Sequence, residues 1–506
     1  MKSVFVLFDS LNRHILGCYR GNRVPTPNFD RLAARSMVYD RHYVGSLPCM
    51  PARRDLLTGR LTFLHRSWGP LEPFDNAFAE LLKEKGVHSH LVTDHYHYWE
   101  DGGATYHNRY STYEFIRGQE CDVWKAMMQP QVERLREKYH YLRQQDSYDV
   151  AGDKPGSSAR NFDAYVVNRE FIREESAFPS VQCFAGGLEF LDRNRDEDNW
   201  FLQIETFDPH EPFYAPERFK KPFDTGWRGP ILDWPRYGRV DDLPEEAEEL
   251  RANYYAVVSL CDFLLGQLLD YFDEHDMWKD TALVVTSDHG FLLGEHDFWA
   301  KIRMHLYEEI SHIPLFIHDP RSPAPGRSNR LTQAIDVAPT ILDLYGVAPP
   351  PETEGFSLLR KGNRDAVLFG YFGGAVNVTD GRYTYHRFPD NLDTQEIYQY
   401  TVMPTHIRSR FTPQELSSAT LARPFGWTKD VSLLKVPVTK ESPMYNVYGP
   451  GTLIENDTRL YDLASDPGQN TPIKDPDVEA RMIKLMRDLM AKNEAPAEAF
   501  TRLGLS

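Results

Sequence analysis

Four short apolar runs, each closing on an acid or a histidine, limit what this chain can become. Residues 4–8 end at Asp9, and residues 89–93 lead into Asp94, His95 and His97. Residues 200–206 lead into Asp208 and His210, and residues 282–286 into Asp288 and His289. Each run has the length and the β-rich composition of a buried strand. Amphipathic stretches lie between them. Residues 28–39 read as a helix after Pro27, with Phe29, Leu32, Ala33 and Met37 at helical spacing. Residues 77–85 read as another, stopped by Gly86, and residues 336–344 as one that ends at Gly346. A long helix is expected over residues 245–274, with Val258, Leu264, Leu265, Leu268 and Phe272 on its buried side. Strands alternating with helices predict an α/β fold with a mostly parallel central sheet flanked by helices. Such sheets bind ligands at the carboxyl ends of their strands, so four strand ends carrying Asp and His point to an active site there.

Beyond about residue 365 the texture changes. Short strand-like pieces at 366–371 and 382–387 alternate with polar loops, and a helix near 478–491 closes the chain. This predicts a catalytic α/β domain over residues 1–365 and a smaller C-terminal α+β domain over 366–506. The stretch 388–451, rich in Pro, Thr and aromatics, is expected to be a loop reaching back over the main site.

At 506 residues there is room for more than one core. The net charge of -17, with no long basic stripe to offset it, argues against nucleic acid and anionic membranes as partners. An anionic substrate must then be met by a local cluster of cations or a metal. Residues 4–8 are too short for a signal-peptide core, and no run of about 18 apolar residues stands out, so a soluble, cytoplasmic protein is expected. Five scattered cysteines with no CxxC pair argue against a disulfide framework and a thiolate zinc site.

The segment C-M-P-A-R-R-D-L-L-T-G-R, beginning at Cys49, carries the most chemistry. By its residues alone Cys49 is either a thiolate at a helix N-terminus, its pKa lowered by the dipole and Arg53, or a buried hydrophobe. The C-x-P-x-R core followed by L-L-T-G-R resembles the hallmark of the sulfatase family. The closing R-L-Y-D-L-A-S-D-P from Arg459 is similar to a phrase of sulfatase C-terminal domains, so the resemblance covers nearly the whole chain.

That resemblance implies an alkaline-phosphatase-like fold and hydrolysis of aryl or carbohydrate sulfate esters. It also implies that a maturation enzyme oxidises Cys49 to formylglycine. A hydrated aldehyde carries two hydroxyls on one carbon: one attacks sulfur and expels the alcohol, and the other loses its proton as the covalent ester breaks and sulfate leaves. By the same resemblance Asp9, Asp288, His289 and the modified Cys49 hold one divalent metal ion. Ser10 and His289 stand where many sulfatases have Asp and Asn, which favours manganese, zinc or magnesium over calcium. Arg53 is implied to orient the formylglycine, Lys301 to contact the sulfate, and His210 to contact the transferred group as acid or base. His97 matches the family's G-K-W-H histidine, with His95 in place of its lysine. The substrate is then a small anionic ester, and a homo-oligomer is allowed.

The Ser10 and His289 pattern also resembles the phosphonate monoester hydrolase branch of the superfamily, so hydrolysis of phosphonate monoesters or phosphodiesters at the same site is the alternative. A pseudoenzyme in which Cys49 stays a thiol is a further reading, opposed by the intact nucleophile, metal and lysine positions.

Overall fold

The computed structural model describes residues 1–140, 157–446 and 449–505; residues 447 and 448, within the expected 388–451 loop, and residue 506 lie outside the described residues. The central sheet has eight strands, in the order Gly326–Gln333, Met37–Tyr43, Leu315–His318, Thr281–Ser287, Lys2–Phe8, Trp200–Thr206, His88–Thr93 and Thr112–Phe115. All neighbouring pairs are parallel except the two made by Leu315–His318. The Lys2–Phe8 strand is hydrogen-bonded on both sides, which is why residues 3–8 are buried and 4–8 are apolar without alternation. Its register sets Phe8 opposite both Thr206 and Ser287. Asp9, His210 and Asp288 therefore leave the sheet along one edge.

Helices cover both faces. Pro244–Glu274 packs against Pro27–Arg35 and Pro179–Asn194. It is long and apolar enough by composition to cross a bilayer, yet 67% of its apolar window is buried inside the protein, as befits a core helix. Val337–Leu344 covers Cys49–Thr58 and Phe78–Glu84.

One expected helix ends early. The helix read over 28–39 stops at Arg35: Ser36 is extended, and Met37–Tyr43 is a strand paired on both sides. Met37, Val38 and Tyr39 fit a helical period as well as a strand, and sheet pairing decides for the strand.

A second sheet runs in the order Arg459–Asp462, Tyr383–Arg387, Val376–Thr379, Val367–Tyr371 and Ser46–Leu47. Met482, Met486 and Met490, one turn apart on Pro476–Lys492, pack on it with Leu368, Val376 and Tyr385. Its edge strand Ser46–Leu47 runs parallel to Val367–Tyr371 and leads directly to Pro48 and Cys49. The stretch read as a loop is folded: Tyr398–Thr401, Leu433–Pro437 and Thr420–Ala422 form a three-stranded sheet with its own cluster around Tyr400, Trp427 and Leu433. The expectation of a plain loop fails because these β-rich pieces of three to five residues are too short to stand out among the prolines.

Candidate active site

Three elements deliver the central groups. Asp9 and Asp288 follow adjacent parallel strands, and Cys49 is the first residue of the helix Cys49–Thr58. Cys49 Sγ lies 3.3 Å from His289 Nε2, 3.5 Å from Lys301 Nζ and 3.9 Å from Asp9 Oδ1. All five of these residues are buried. Ser10, in a left-handed conformation at φ 62°, turns the chain so that its N–H donates to Asp288 Oδ1 at 3.1 Å, while its hydroxyl lies 3.0 Å from Lys301 Nζ. The His289 N–H also donates to Asp288 Oδ1, at 2.7 Å.

Arg53, one helical turn after Cys49, faces the carboxylates and not the sulfur. Its guanidinium reaches Asp288 Oδ2 at 2.6 Å, Asp9 Oδ2 at 3.0 Å and Glu205 Oε1 at 2.7 Å, and donates to the Cys49 carbonyl at 3.2 Å. Glu205 also accepts from Tyr98 and Gln203, and Tyr110 donates to Gln203 in turn. Sequence reasoning missed Glu205. It sits inside an apolar strand, and its signal is an acid where every neighbour is buried.

The electrostatics argue against a thiolate. Burial first, and then the charge of Asp9, push the Cys49 thiol well above its ordinary range. Asp288 is pushed up to about 8, first by burial and then by Asp9. For Asp9 burial is outweighed by Arg53, His210, Lys301 and His289, and its carboxyl lies well below the usual range. Two adjoining buried carboxyls that resist ionising together, while sharing one guanidinium, form a site that a divalent cation would complete. The donor set fits one. Ligand atoms of Asp9, Cys49, Asp288 and His289 lie within 4.8 Å of one another, the one such group among the described residues. Burial keeps His289 neutral, and its Nδ1 lies 2.9 Å from the Gly290 carbonyl, which fixes that nitrogen as the donor and turns the Nε2 lone pair to Cys49. The Lys301 ammonium, which burial alone would lower, is held above its ordinary value by the Cys49 sulfur and by Glu211, Asp9 and Asp288.

The remaining histidines form an aromatic wall. The His95 ring lies 5.2 Å from that of His97 and 5.0 Å from Phe207, which lies 4.3 Å from His210. Burial first, then Arg53, keep His95 neutral; its Nε2 meets Met50 Sδ at 3.3 Å. His97 pairs with Glu100 at 2.6 Å, and Glu100 with Arg408 at 3.3 Å, so residues near 408 do reach the His97 turn. His210 Nδ1 lies 2.6 Å from the Glu211 carbonyl, which leaves Nε2 for a ligand. Asp94 and Asp208 brace loops instead. Asp94 accepts the Phe207 N–H, and Gln119 donates to both acids. His65 and His305 lie at other contacts, with the Glu494 carbonyl and with Glu455.

Comparison with known proteins follows the same lines. The family model described as Sulfatase matches residues 2–347, and one described as N-sulphoglucosamine sulphohydrolase, C-terminal, matches residues 294–420. A choline-sulfatase of Rhizobium meliloti is 26% identical over 80% of this chain and 81% of its own length. An arylsulfatase of Clostridium perfringens is 23% identical over 70% of this chain and 77% of its own. The solved phosphonate monoester hydrolase of Agrobacterium radiobacter superposes with a TM-score of 0.63 at 19% identity, covering 97% of this chain and 95% of that one.

Proposed function

From the premise that the chain belongs to the sulfatase family and is a sulfuric ester hydrolase, we propose that Cys49 is converted by a maturation enzyme to a formylglycine that cleaves the ester. The observation that carries this reading is the position of Cys49 Sγ, buried and within 3.9 Å of His289, Lys301 and Asp9. An unmodified thiol there is held protonated and is a poor nucleophile. Its hydrated aldehyde would supply one hydroxyl to attack sulfur and a second to release the sulfate. A divalent cation held by Asp9, Asp288, His289 and residue 49 would supply Lewis acidity and positive charge.

The chain's own residues do the rest. Lys301 places its ammonium beside residue 49, where negative charge on the transferring group is greatest. Asp9 and Asp288 are fixed in place by Arg53, so the metal oxygens need no reorganisation. His210, with Nδ1 committed to a backbone carbonyl, keeps Nε2 for handing a proton to the departing ester oxygen. Phe207, Tyr96 and His97 form an aromatic surface for the leaving group.

The decisive experiment is mass analysis of the peptide containing residue 49, from protein co-produced with a maturation enzyme, alongside turnover of an aryl sulfate. Aldehyde at residue 49 together with metal-dependent turnover supports the reading. Full sulfate turnover by protein carrying only the thiol overturns it. Hydrolysis of phosphonate monoesters or phosphodiesters is the second reading, favoured by Ser10 on Lys301 and by His289 against residue 49. It becomes the better name if such esters exceed the matching sulfate in kcat/KM.

A further inference from the structure

Glu211 follows His210 in the chain, and its carboxylate is fully buried beside the site. Tyr237 donates its hydroxyl to Oε1, whereas Oε2 accepts no hydrogen bond and lies 3.3 Å from His210 Nδ1. That nitrogen is already committed to the Glu211 backbone carbonyl. A buried carboxylate oxygen with so little compensation acts at a distance on whatever charge enters the site. Its free oxygen lies against His210, whose ring stands 4.3 Å from Phe207 in the wall of the site. Around residue 49 the acids Asp9, Asp288 and Glu205 meet Arg53, Lys301 lies on Cys49, and Glu211 stands behind His210. A divalent metal would bring the sum of these charges to neutral.

We propose that Glu211 is a specificity-determining residue that makes this site select singly charged tetrahedral esters and reject doubly charged ones. The proposal rests on the reading of residue 49 as the ester-cleaving group, and it adds to that reading the residue that sets the charge limit. Arg53, Lys301 and the metal attract either kind of ester. Glu211 subtracts from that attraction in proportion to the charge of the ligand, so a dianion loses more than a monoanion. Tyr237 keeps the carboxylate turned inward and prevents it from rotating away to solvent.

The test compares wild type, Glu211→Gln and Glu211→Asp as full-length, metal-loaded protein with three esters of one leaving group: para-nitrophenyl sulfate, para-nitrophenyl phenylphosphonate and para-nitrophenyl phosphate. The assay pH is about 8, above the second ionisation of a phosphate monoester. Glu211→Gln raises the phosphate-to-sulfate ratio of kcat/KM by about tenfold or more, and leaves the phosphonate-to-sulfate ratio within about twofold. Glu211→Asp, which keeps the charge, tracks the wild type. Calorimetric titration with inorganic phosphate, which needs no turnover, shows tighter binding to Glu211→Gln by a similar factor. An unmoved phosphate-to-sulfate ratio with unchanged phosphate binding overturns the proposal, as does a parallel rise for phosphonate and phosphate. A wild type that turns over the sulfate while the ratio stays fixed removes only the role of Glu211. A metal-loaded wild type that cleaves none of the three esters removes the reading of residue 49, and this proposal with it.

Discussion

Arg53 stands in the sequence where the resemblance implies a residue that orients the nucleophile, but its side chain touches Cys49 only at the backbone carbonyl and otherwise binds Asp9, Asp288 and Glu205. Glu205 then acts through Arg53 on the Asp9 and Asp288 carboxylates, the proposed metal ligands. In Glu205→Gln the guanidinium loses its third acid and draws harder on Asp9 and Asp288, in competition with the cation. We expect metal affinity to fall about tenfold or more, read by titration against a chelator, with a loss of about 3–5 kcal/mol in unfolding free energy from the broken buried pair. Unchanged affinity would leave Glu205 a purely structural role. Asp288→Asn and His289→Ala should lower metal content and turnover together, and full metal occupancy in both would move the site elsewhere. Cys49→Ala should abolish turnover and leave the fold intact, since the residue contributes little more than a small buried side chain to packing; near-wild-type kcat/KM in that variant would end its role as nucleophile. Cys49, Asp9, Asp288, His289 and Lys301 were legible because each follows a strand end or sits in a motif. Glu205 was not, because an isolated acid inside an apolar strand carries no periodic signal, and only the fold shows that it faces Arg53.

The element that presents residue 49 is held from behind. Asp55, on the second turn of Cys49–Thr58, accepts from the Ser46 N–H at 2.6 Å, the Ser46 hydroxyl at 2.9 Å and the Thr62 N–H at 2.9 Å. It thereby ties the helix to the strand before it and the turn after it. Asp55→Ala leaves the Ser46 N–H and hydroxyl without this acceptor, at a cost of about 1–3 kcal/mol for each group stranded, while the Thr62 N–H keeps the Ser46 hydroxyl at 2.8 Å. Because Ser46–Leu47 leads straight into Cys49, kcat should fall as well, by about tenfold or more if the nucleophile shifts by an ångström. Urea unfolding with single-turnover kinetics reads both effects. A loss of stability with kcat intact would show that the strand does not position the helix. Gly59, which ends that helix at φ 69°, is a second lock: a Cβ there would meet Thr353 Cγ2 at 2.7 Å, so Gly59→Ala combines left-handed strain with a clash. At this scale the chain was legible where a run had one reading, as in Trp200–Thr206 or Pro244–Glu274. It misled at Met37, where helical and strand periods both fit and pairing partners far along the chain decided.

Across the whole molecule, the segment that carries Cys49 is where the two larger sheets meet, and buried histidines sit on both flanks of that junction. His65, just past the Cys49 helix, lies 2.9 Å from the Glu494 carbonyl behind the closing helix and against Phe425 and Trp427, with ring centroids at 4.8 and 5.0 Å. His42, in the central sheet, pairs with Thr332 at 3.0 Å. Burial lowers both imidazoles to about 3 from the ordinary 6.5. A base whose pKa is depressed by folding binds protons more readily in the unfolded chain. Its contribution to stability is therefore complete above the unfolded value near 6.5 and is lost as pH falls toward 3. Each unit of that shift corresponds to about 1.4 kcal/mol, so the pair alone makes the fold strongly acid-labile. We expect unfolding free energy, measured in urea at stepped pH, to decline steadily below about pH 6.5, with a flatter slope in His42→Gln and His65→Gln. If either substitution leaves the slope unchanged, that histidine takes up its proton without unfolding. Since His65 contacts residues near the C-terminus and His42 does not, their separate slopes also tell whether acid opens the junction or the central sheet first. Retention of the Cys49 site in the His42 variant at a pH where the His65 variant has lost it would place the first opening in the sheet itself.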